Sequence, residues 1–146
     1  MNSETLDLCR QTAETVLENM FFETLIDTPS LCAEYPAESL HAEARFSGSE
    51  SGTLRVAVDP AMARRLASNF LGEDESDISL LQIENTLCEL TNIYCGCLLS
   101  HVRPEARLKI KSPEIVSQPT EAREWVRLPV ETGLLAVSIQ WEGRNE

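Results

Sequence analysis

The sequence predicts an α+β domain with a mostly antiparallel sheet and helices packed on it. Two observations predict this class. Some segments alternate apolar and polar residues, as strands do, whereas others repeat apolar residues every three or four positions, as helices do. The elements follow the order helix, two strands, two helices and further strands, which fits an α+β arrangement. With 146 residues, the chain matches one domain of typical size, residues 1–146.

The first elements are predicted to be a helix and a hairpin. Apolar residues at helical spacing predict a helix over residues 4–25, and prolines then predict a loop over residues 28–38. Alternation predicts strands over residues 40–46 and 53–58, joined by the polar turn 47–52. The polar face of the first strand carries His41, Glu43 and Arg45. We therefore expect these strands to be buried on one face only.

The remaining elements are delimited by caps and prolines. Asp59-Pro60 predicts the start of a short helix and Leu71-Gly72 its end. The acidic linker 73–77 separates it from a long helix over residues 78–102, which Arg103-Pro104 ends. Three more alternating segments predict strands over residues 108–110, 125–130 and 134–141.

Charge and cysteine content exclude several classes of partner. The net charge of -12 disfavours nucleic acid and anionic membrane surfaces. We expect a cytoplasmic protein, because no basic-apolar leader and no 18-residue apolar run is present. Five scattered cysteines indicate reduced thiols. Cys95-Gly96-Cys97 lacks the spacing of a zinc site, so we predict small core residues and no metal.

The long helix has an apolar face and an unusual polar face. On a wheel of 100° per residue with Leu80 at zero, one arc is apolar and is expected to face the core. That arc holds Leu87, Thr91, Tyr94, Cys95, Leu98 and Val102, and the opposite arc holds Asn85, Glu89, Asn92 and Gly96. Asparagine is a poor helix former, and a glycine inside a helix costs about 1 kcal/mol relative to alanine. The polar face therefore suggests a contact surface, with an ordinary solvated stripe as the alternative.

The run from Glu84 to Gly96 resembles the Glu-x-x-Asn signature helix of the CheC/CheX/FliY family, chemotaxis phosphatases that act on phosphorylated CheY. The preceding strand pair, short helix and acidic linker are similar too, so the resemblance covers nearly the whole chain. A single motif is most similar to CheX, which implies one site per subunit and a homodimer formed through the sheet. The chain departs from the family pattern at Asn85, where Asp or Ser is frequent, and in the spacing of Pro104 and Pro113.

The resemblance implies a phosphatase of a phosphorylated CheY-like response regulator. Asn92 would hold a water in line with the aspartyl phosphate, and Glu89 would pair with the regulator's lysine. Asn85 and Gly96 would contact the partner. Mg²⁺ is expected in the regulator, and no cofactor is expected in this chain. The alternative is a catalytically inactive binding or dimerisation module, which the departure at Asn85 favours.

Other charged residues have simpler interpretations. His41 lies on a predicted strand and His101 near a helix end, and no obvious nucleophile constellation includes either, so both are expected to be structural or surface residues. The cations available to meet an acidic partner are Arg64, Arg65, Arg107, Lys109 and Lys111. For the last three, a solvated strand face is the alternative interpretation.

Overall fold

The described part of the chain contains seven strands and three α-helices. The structure is a computed structural model that describes residues 2–33, 35, 38–119, 121, 123–131 and 133–144. The helices are α1 (Ser3–Ala13), α2 (Pro60–Leu71) and α3 (Leu80–Val102). The strands are β1 (Ser30–Cys32), β2 (Leu40–Gly48), β3 (Glu50–Val58), β4 (Leu108–Ile110), β5 (Glu114–Val116), β6 (Trp125–Val130) and β7 (Gly133–Arg144). The predicted α+β class is confirmed.

The strands form one sheet in the order β1-β6-β7-β3-β2-β4, and β5 pairs with β2 as well. All pairings between the described strands are antiparallel. The β2–β3 hairpin is tighter than predicted, because its strands extend to Gly48 and Glu50. Gly48 has φ +143°, and a Cβ there would lie against the Arg107 carbonyl oxygen. Glycine is thus required where the hairpin passes β4.

One face of the sheet and the helices enclose the main core. Inner-face side chains of β2, β3, β6 and β7 pack with apolar side chains of all three helices. The buried face of α3 consists of Ile83, Thr86, Leu87, Leu90, Thr91, Tyr94, Cys95, Leu98 and Leu99. The outer face of the sheet carries a second, smaller cluster of Ala57, Trp125 and Ala136, with Cys32 and Tyr35 packed against it.

The first helix is shorter than predicted. After α1 the chain makes a π-helical turn, Glu14–Glu18, and leaves the helix at Phe22, which has φ +56°. The backbone N–H of Glu23 donates to the carbonyl of Leu17 at 3.0 Å. The helix thus ends at a residue in the left-handed conformation, a position that glycine usually occupies. The sequence gives no glycine signal there, which is why the predicted helix continued to residue 25.

The caps of the other two helices agree with the sequence patterns. The side chain of Asp59 accepts from the backbone N–H of Met62 at 2.9 Å, Pro60 opens α2, and Gly72 ends it at φ +67°. Two short strands were missed: β1 lies in the predicted loop, and β5 follows Pro113. Each has only three residues, too few to show alternation.

The cysteines are small interior or half-buried residues, and all five are free. Burial raises the pKa of the Cys9 thiol to about 11 and that of Cys95 to about 12, so both stay protonated at neutral pH. Among the described residues, no group of three His, Cys, Asp or Glu side chains could hold a metal ion. No helix in the described part of the chain is long and apolar enough to cross a membrane.

Candidate functional site

The start of α3 is fixed by a capping box and by α2. The backbone N–H of Gln82 donates to the Ser79 hydroxyl at 3.1 Å, and the Gln82 side chain accepts from the Ser79 N–H at 2.8 Å. The Arg64 guanidinium of α2 donates to the carbonyls of Glu75 and Ile78 at 2.9 and 2.7 Å. The capping box satisfies backbone N–H groups that have no partner within the helix, and Arg64 holds the linker that precedes it. The first turn of α3 is therefore fixed in place.

The middle of α3 is fixed by its buried face. The Tyr94 hydroxyl, fully buried, donates to the carbonyl of Cys9 at 3.0 Å and so ties α3 to α1. Thr91 is buried as well, and its hydroxyl donates to the carbonyl of Leu87 at 2.7 Å. A helix held in this way is rigid, so the side chains on its opposite face are held in fixed positions. Catalysis by positioning a reactant requires such a support.

The opposite face presents three of the predicted site residues together. Asn85, Glu89 and Asn92 are exposed, whereas Leu87, Leu90 and Thr91 are buried. Glu89 and Asn92 lie three positions apart and so stand side by side on the helix surface. The predicted core arc is correct except for Leu80, which is 63% exposed because it opens the first turn of α3.

A groove of about 560 Å³ runs beside these residues. Its helical wall consists of Asn85, Cys88, Glu89 and Asn92, and its other wall of Ile110, Ser112 and Pro113. Ile110 belongs to β4, where it pairs with Phe46 of β2, so the sheet positions the second wall. The sequence pattern did not predict this second wall. Pro113 was the available signal, although its spacing alone does not place it opposite Asn92.

The groove offers free polar groups but no activated nucleophile among its described lining residues. Among the described contacts, the side chains of Asn85, Glu89 and Asn92 make no hydrogen bond or ion pair, so all three can meet a ligand. Desolvation by burial, then the carboxylates of Glu84 and Glu114, raise the pKa of the Cys88 thiol. Cys88 is therefore a poor nucleophile at neutral pH. What the groove can do is orient a water and contact a cation.

Gly96 lies outside this groove. It lines a neighbouring depression of about 280 Å³ with Leu99, Ser100 and Leu108, and Ile110 borders both spaces. A Cβ on Gly96 would meet the Ile110 Cδ1 atom at 3.6 Å, an ordinary contact. The structure thus brings Asn85, Glu89 and Asn92 together and places Gly96 one groove further along α3.

The fold and the groove define an α+β class in which one long helix lies across an antiparallel sheet and exposes a Glu-x-x-Asn pair. The family described as Chemotaxis phosphatase CheX matches residues 41–127, more than half of the chain. The chain belongs to this CheX family of chemotaxis phosphatases. The matched segment includes α2, α3 and the whole groove.

Solved structures support the same fold. A CheX from Desulfovibrio desulfuricans is similar with a TM-score of 0.76 and 15% identity, over 95% of this chain and 99% of that one. A CheX from Vibrio vulnificus gives 0.75 and 15%, over 96% and 100%. The CheX-CheY-BeF3-Mg²⁺ complex from Borrelia burgdorferi gives 0.70 and 18%, over 94% and 97%. No curated protein sequence matches the chain.

Proposed function

We propose that the chain dephosphorylates the aspartyl phosphate of a CheY-like response regulator by inserting α3 beside the phosphoryl group. One observation carries the proposal: Glu89 and Asn92 stand together, exposed and without side-chain partners among the described residues, beside a groove whose described lining includes no histidine or lysine to activate the Cys88 thiol or the Ser112 hydroxyl. A site of this kind suits a reaction in which water is the nucleophile. Membership of the CheX family supports the same reaction.

The chemistry divides between the two proteins. The regulator's Mg²⁺ and lysine neutralise the phosphoryl oxygens, so the remaining task is to place a water in line with the leaving carboxylate. The Asn92 amide can accept from and donate to that water without acting as a base. The Glu89 carboxylate pairs with the regulator's lysine and fixes the register of α3. Asn85 contacts the regulator one turn before Glu89. The Borrelia complex, in which a CheX is bound to CheY with BeF3 and Mg²⁺, supports this partner.

A phosphate-decay assay tests the proposal. The lifetime of the phosphorylated regulator is measured with wild type, Asn92→Ala and the matched control Asn19→Ala, which changes an exposed asparagine outside the groove. We expect wild type and Asn19→Ala to shorten the lifetime equally. Asn92→Ala should lose most of the acceleration, on the order of 10²-fold, because misplacing a reacting water has a cost of that size.

Binding to the regulator loaded with beryllofluoride and Mg²⁺ separates catalysis from docking. Asn92→Ala should bind nearly as well as wild type, whereas Glu89→Gln should bind more weakly because it loses the charge that faces the lysine. Equal lifetimes with wild type and Asn92→Ala would exclude the role of Asn92. Tight binding with an unchanged phosphate lifetime would instead support a binding module, the alternative that Asn85 favours.

We also propose that two copies associate through the sheet, at the β1 edge. The exposed residue Leu31 lies on this edge, and Ser30–Cys32 carries no charge that would prevent strand pairing. Light scattering should return the mass of two chains, and a mass near 16.3 kDa would contradict the dimer.

A further inference from the structure

The exposed face of α3 begins with a leucine. The side chains of Leu81, Asn85, Glu89 and Asn92 are all exposed, and they follow one another along the helix at steps of four, four and three residues. Residues at these spacings are neighbours on one face of a helix. We call these four residues the exposed stripe. Leu81, which is 65% exposed, is therefore the first member of the stripe that carries the candidate site.

The preceding residue, Leu80, provides an internal comparison. It is 63% exposed, almost the same as Leu81. At 100° per residue, Leu81 falls within about 40° of Asn85 and Asn92 around the helix axis, whereas Leu80 lies about 100° from Leu81. Leu80 belongs to the arc that faces the core further along α3. The two leucines thus differ in the direction that they face and hardly at all in exposure.

The turn that carries Leu81 is held on both sides. The capping box joins Ser79 and Gln82, and the Gln82 side-chain amide also donates to the Glu73 carboxylate at 3.5 Å. A side chain on a fixed backbone has less conformational freedom to lose on binding. Leu81 is therefore a preorganised apolar group, and the helical rise of 1.5 Å per residue places it about 17 Å from Asn92 along α3.

The charge of this face disfavours an acidic partner. Residues 80–102 contain no lysine or arginine, and the described lining of the groove contains neither. The phosphorylation site of a response regulator is itself acidic, because carboxylates bind its Mg²⁺. A chain of net charge -12 repels such a surface. The pairing of Glu89 with the regulator's lysine offsets this only in part, since exposed ion pairs contribute little.

The cations of the neighbouring strand face away from the groove. Lys109 and Lys111 flank Ile110, whose side chain lines the groove, so alternation puts the two lysines on the opposite face of the sheet. There Lys111 shares a pocket with the carboxylates of Glu43 and Glu114. A binding face with this distribution of charge needs an apolar contact, and within the exposed stripe Leu81 is the side chain that can supply it.

We propose that Leu81 anchors α3 to an apolar patch on the response regulator, roughly 17 Å from the phosphoryl group. This inference rests on the proposed function for the identity of the partner. Burial of the Leu81 side chain favours the complex and slows its dissociation, while Glu89 and Asn92 carry out the chemistry. The competing explanation is an ordinary surface leucine, because most proteins expose single apolar side chains.

Stopped-flow binding to the regulator carrying beryllofluoride and Mg²⁺ tests the proposal. The variants are Leu81→Ser and the conservative Leu81→Met, and the matched control is Leu80→Ser, the same change at an equally exposed leucine that faces another way. Leu81→Ser should raise Kd by about 10-fold, mainly through faster dissociation. Leu81→Met should keep most of the affinity, and Leu80→Ser should change Kd by less than about 2-fold. The effect of Leu81→Ser should persist at about 0.5 M salt, where charge interactions are screened.

Phosphate decay separates this anchoring from catalysis. Leu81→Ser should raise KM by about 10-fold and leave kcat unchanged, because the lost contact is made equally in the ground state and the transition state. Urea midpoints of both serine variants should match that of wild type, since neither exposed leucine belongs to the main core.

Each result decides the matter. Equal weakening by Leu81→Ser and Leu80→Ser would show an effect of the helix start or of general surface hydrophobicity and overturn the anchoring role. Wild-type affinity in Leu81→Ser would make Leu81 an ordinary surface leucine and overturn it as well. Binding that depends on Leu81, with a phosphate lifetime that wild type does not shorten, would keep the anchor and exclude the phosphatase. A shortened lifetime with the same KM in wild type and Leu81→Ser would keep the phosphatase and exclude the anchor.

Discussion

Two clusters of polar side chains, one on each side of the sheet, have opposite environments. The groove cluster of Asn85, Glu89 and Asn92 is exposed and free of side-chain partners among the described residues. The second cluster, which we call the outer cluster, lies on the face of the sheet without helices and is almost wholly withdrawn from water. It comprises His41, Arg55, Arg123, Trp125 and Ser138. Packing by residues distant in sequence, and not residue type, therefore decides which polar groups a ligand can reach.

Both clusters oppose stability, but by different means. The groove cluster places poor helix formers in the middle of α3. In the outer cluster, within the described part of the chain, both ring nitrogens of His41, the Nε atoms of Arg55 and Arg123, the Trp125 Nε1 and the Ser138 hydroxyl have no hydrogen-bond partner. Buried polar groups left in this state usually cost about 1–3 kcal/mol each.

The largest effect is expected from the outer cluster, at Trp125. This side chain is fully buried, with ring centroids 5.2 Å from Tyr35 and 5.8 Å from His41, and it packs on Ala57 and Ala136. Trp125→Ala should lower the free energy of unfolding by about 3–5 kcal/mol. Urea denaturation measures the loss. The activity of the molecules that remain folded should not change, because Trp125 does not line the groove.

Trp125→Phe provides the matched control for that prediction. It keeps a ring on Ala57 and Ala136 but removes the unpartnered Nε1–H group, so it should cost less than about 1.5 kcal/mol. A similar loss in both variants would show that the outer cluster needs the full volume of the indole and that a smaller ring does not replace it.

The next effect is a pH dependence that His41 confers. Desolvation by burial, and then the nearby charges of Arg55 and Arg123, together lower the pKa of the ring from 6.5 to about 4. Tyr35 is the other titratable group packed against the ring, with centroids 4.9 Å apart. Above pH 6.5 the ring is neutral whether folded or unfolded. As the pH falls from 6.5 towards 4, the unfolded chain takes up a proton that the folded chain refuses, so stability is lost.

The size of this loss is on the order of 2 kcal/mol, less than the full pKa shift would give because the surroundings of the ring can relax and hydrate. His41→Phe keeps the edge-to-face packing on Tyr35 and Trp125 and removes the titration. Urea midpoints between pH 7 and pH 4 should therefore fall less steeply in His41→Phe than in wild type. The matched control for the substitution itself is His101→Phe, which changes an exposed histidine outside the outer cluster. If His41→Phe and wild type have equal slopes, the ring does not titrate in this range.

The sequence could predict one of these clusters but not the other. The groove cluster follows from helical periodicity over the 23 residues of α3, enough turns to define a face. His41 alternates with apolar residues just as a solvated strand residue does. Its burial comes from Tyr35 and Trp125, which pack beside its ring from other parts of the chain. A local sequence pattern does not show that distant residues bury a strand side chain.

The same limit explains the other errors. Leu80 fits the apolar arc, but α3 begins at this residue, so periodicity could not show that its side chain stays in water. The second wall of the groove comes from Ile110, Ser112 and Pro113, which pair and turn beside β2. Its position depends on strand register between segments about 60 residues apart, and a sequence pattern does not specify that register.

The smallest effect is expected at Gly96, on the groove side of the sheet. This residue lies inside α3, and a Cβ there would make only an ordinary contact with Ile110 at 3.6 Å. Gly96→Ala should therefore raise the free energy of unfolding by about 1 kcal/mol, since alanine is the better helix former by that amount. The same methyl group occupies space into which a partner could move, so binding of the beryllofluoride-loaded regulator should weaken by about 2- to 5-fold.

Gly72→Ala is the control of opposite sign. Gly72 ends α2 at φ +67°, where a Cβ meets no neighbour but the backbone is strained, so alanine should destabilise the chain by about 1 kcal/mol and leave regulator binding unchanged. A stabilised Gly96→Ala that binds the regulator as well as wild type would remove Gly96 from the contact surface. The contact surface would then be limited to the groove beside Asn85, Glu89 and Asn92. A destabilised Gly96→Ala would show that Ile110 cannot accommodate the methyl group, and that this glycine serves packing between α3 and β4.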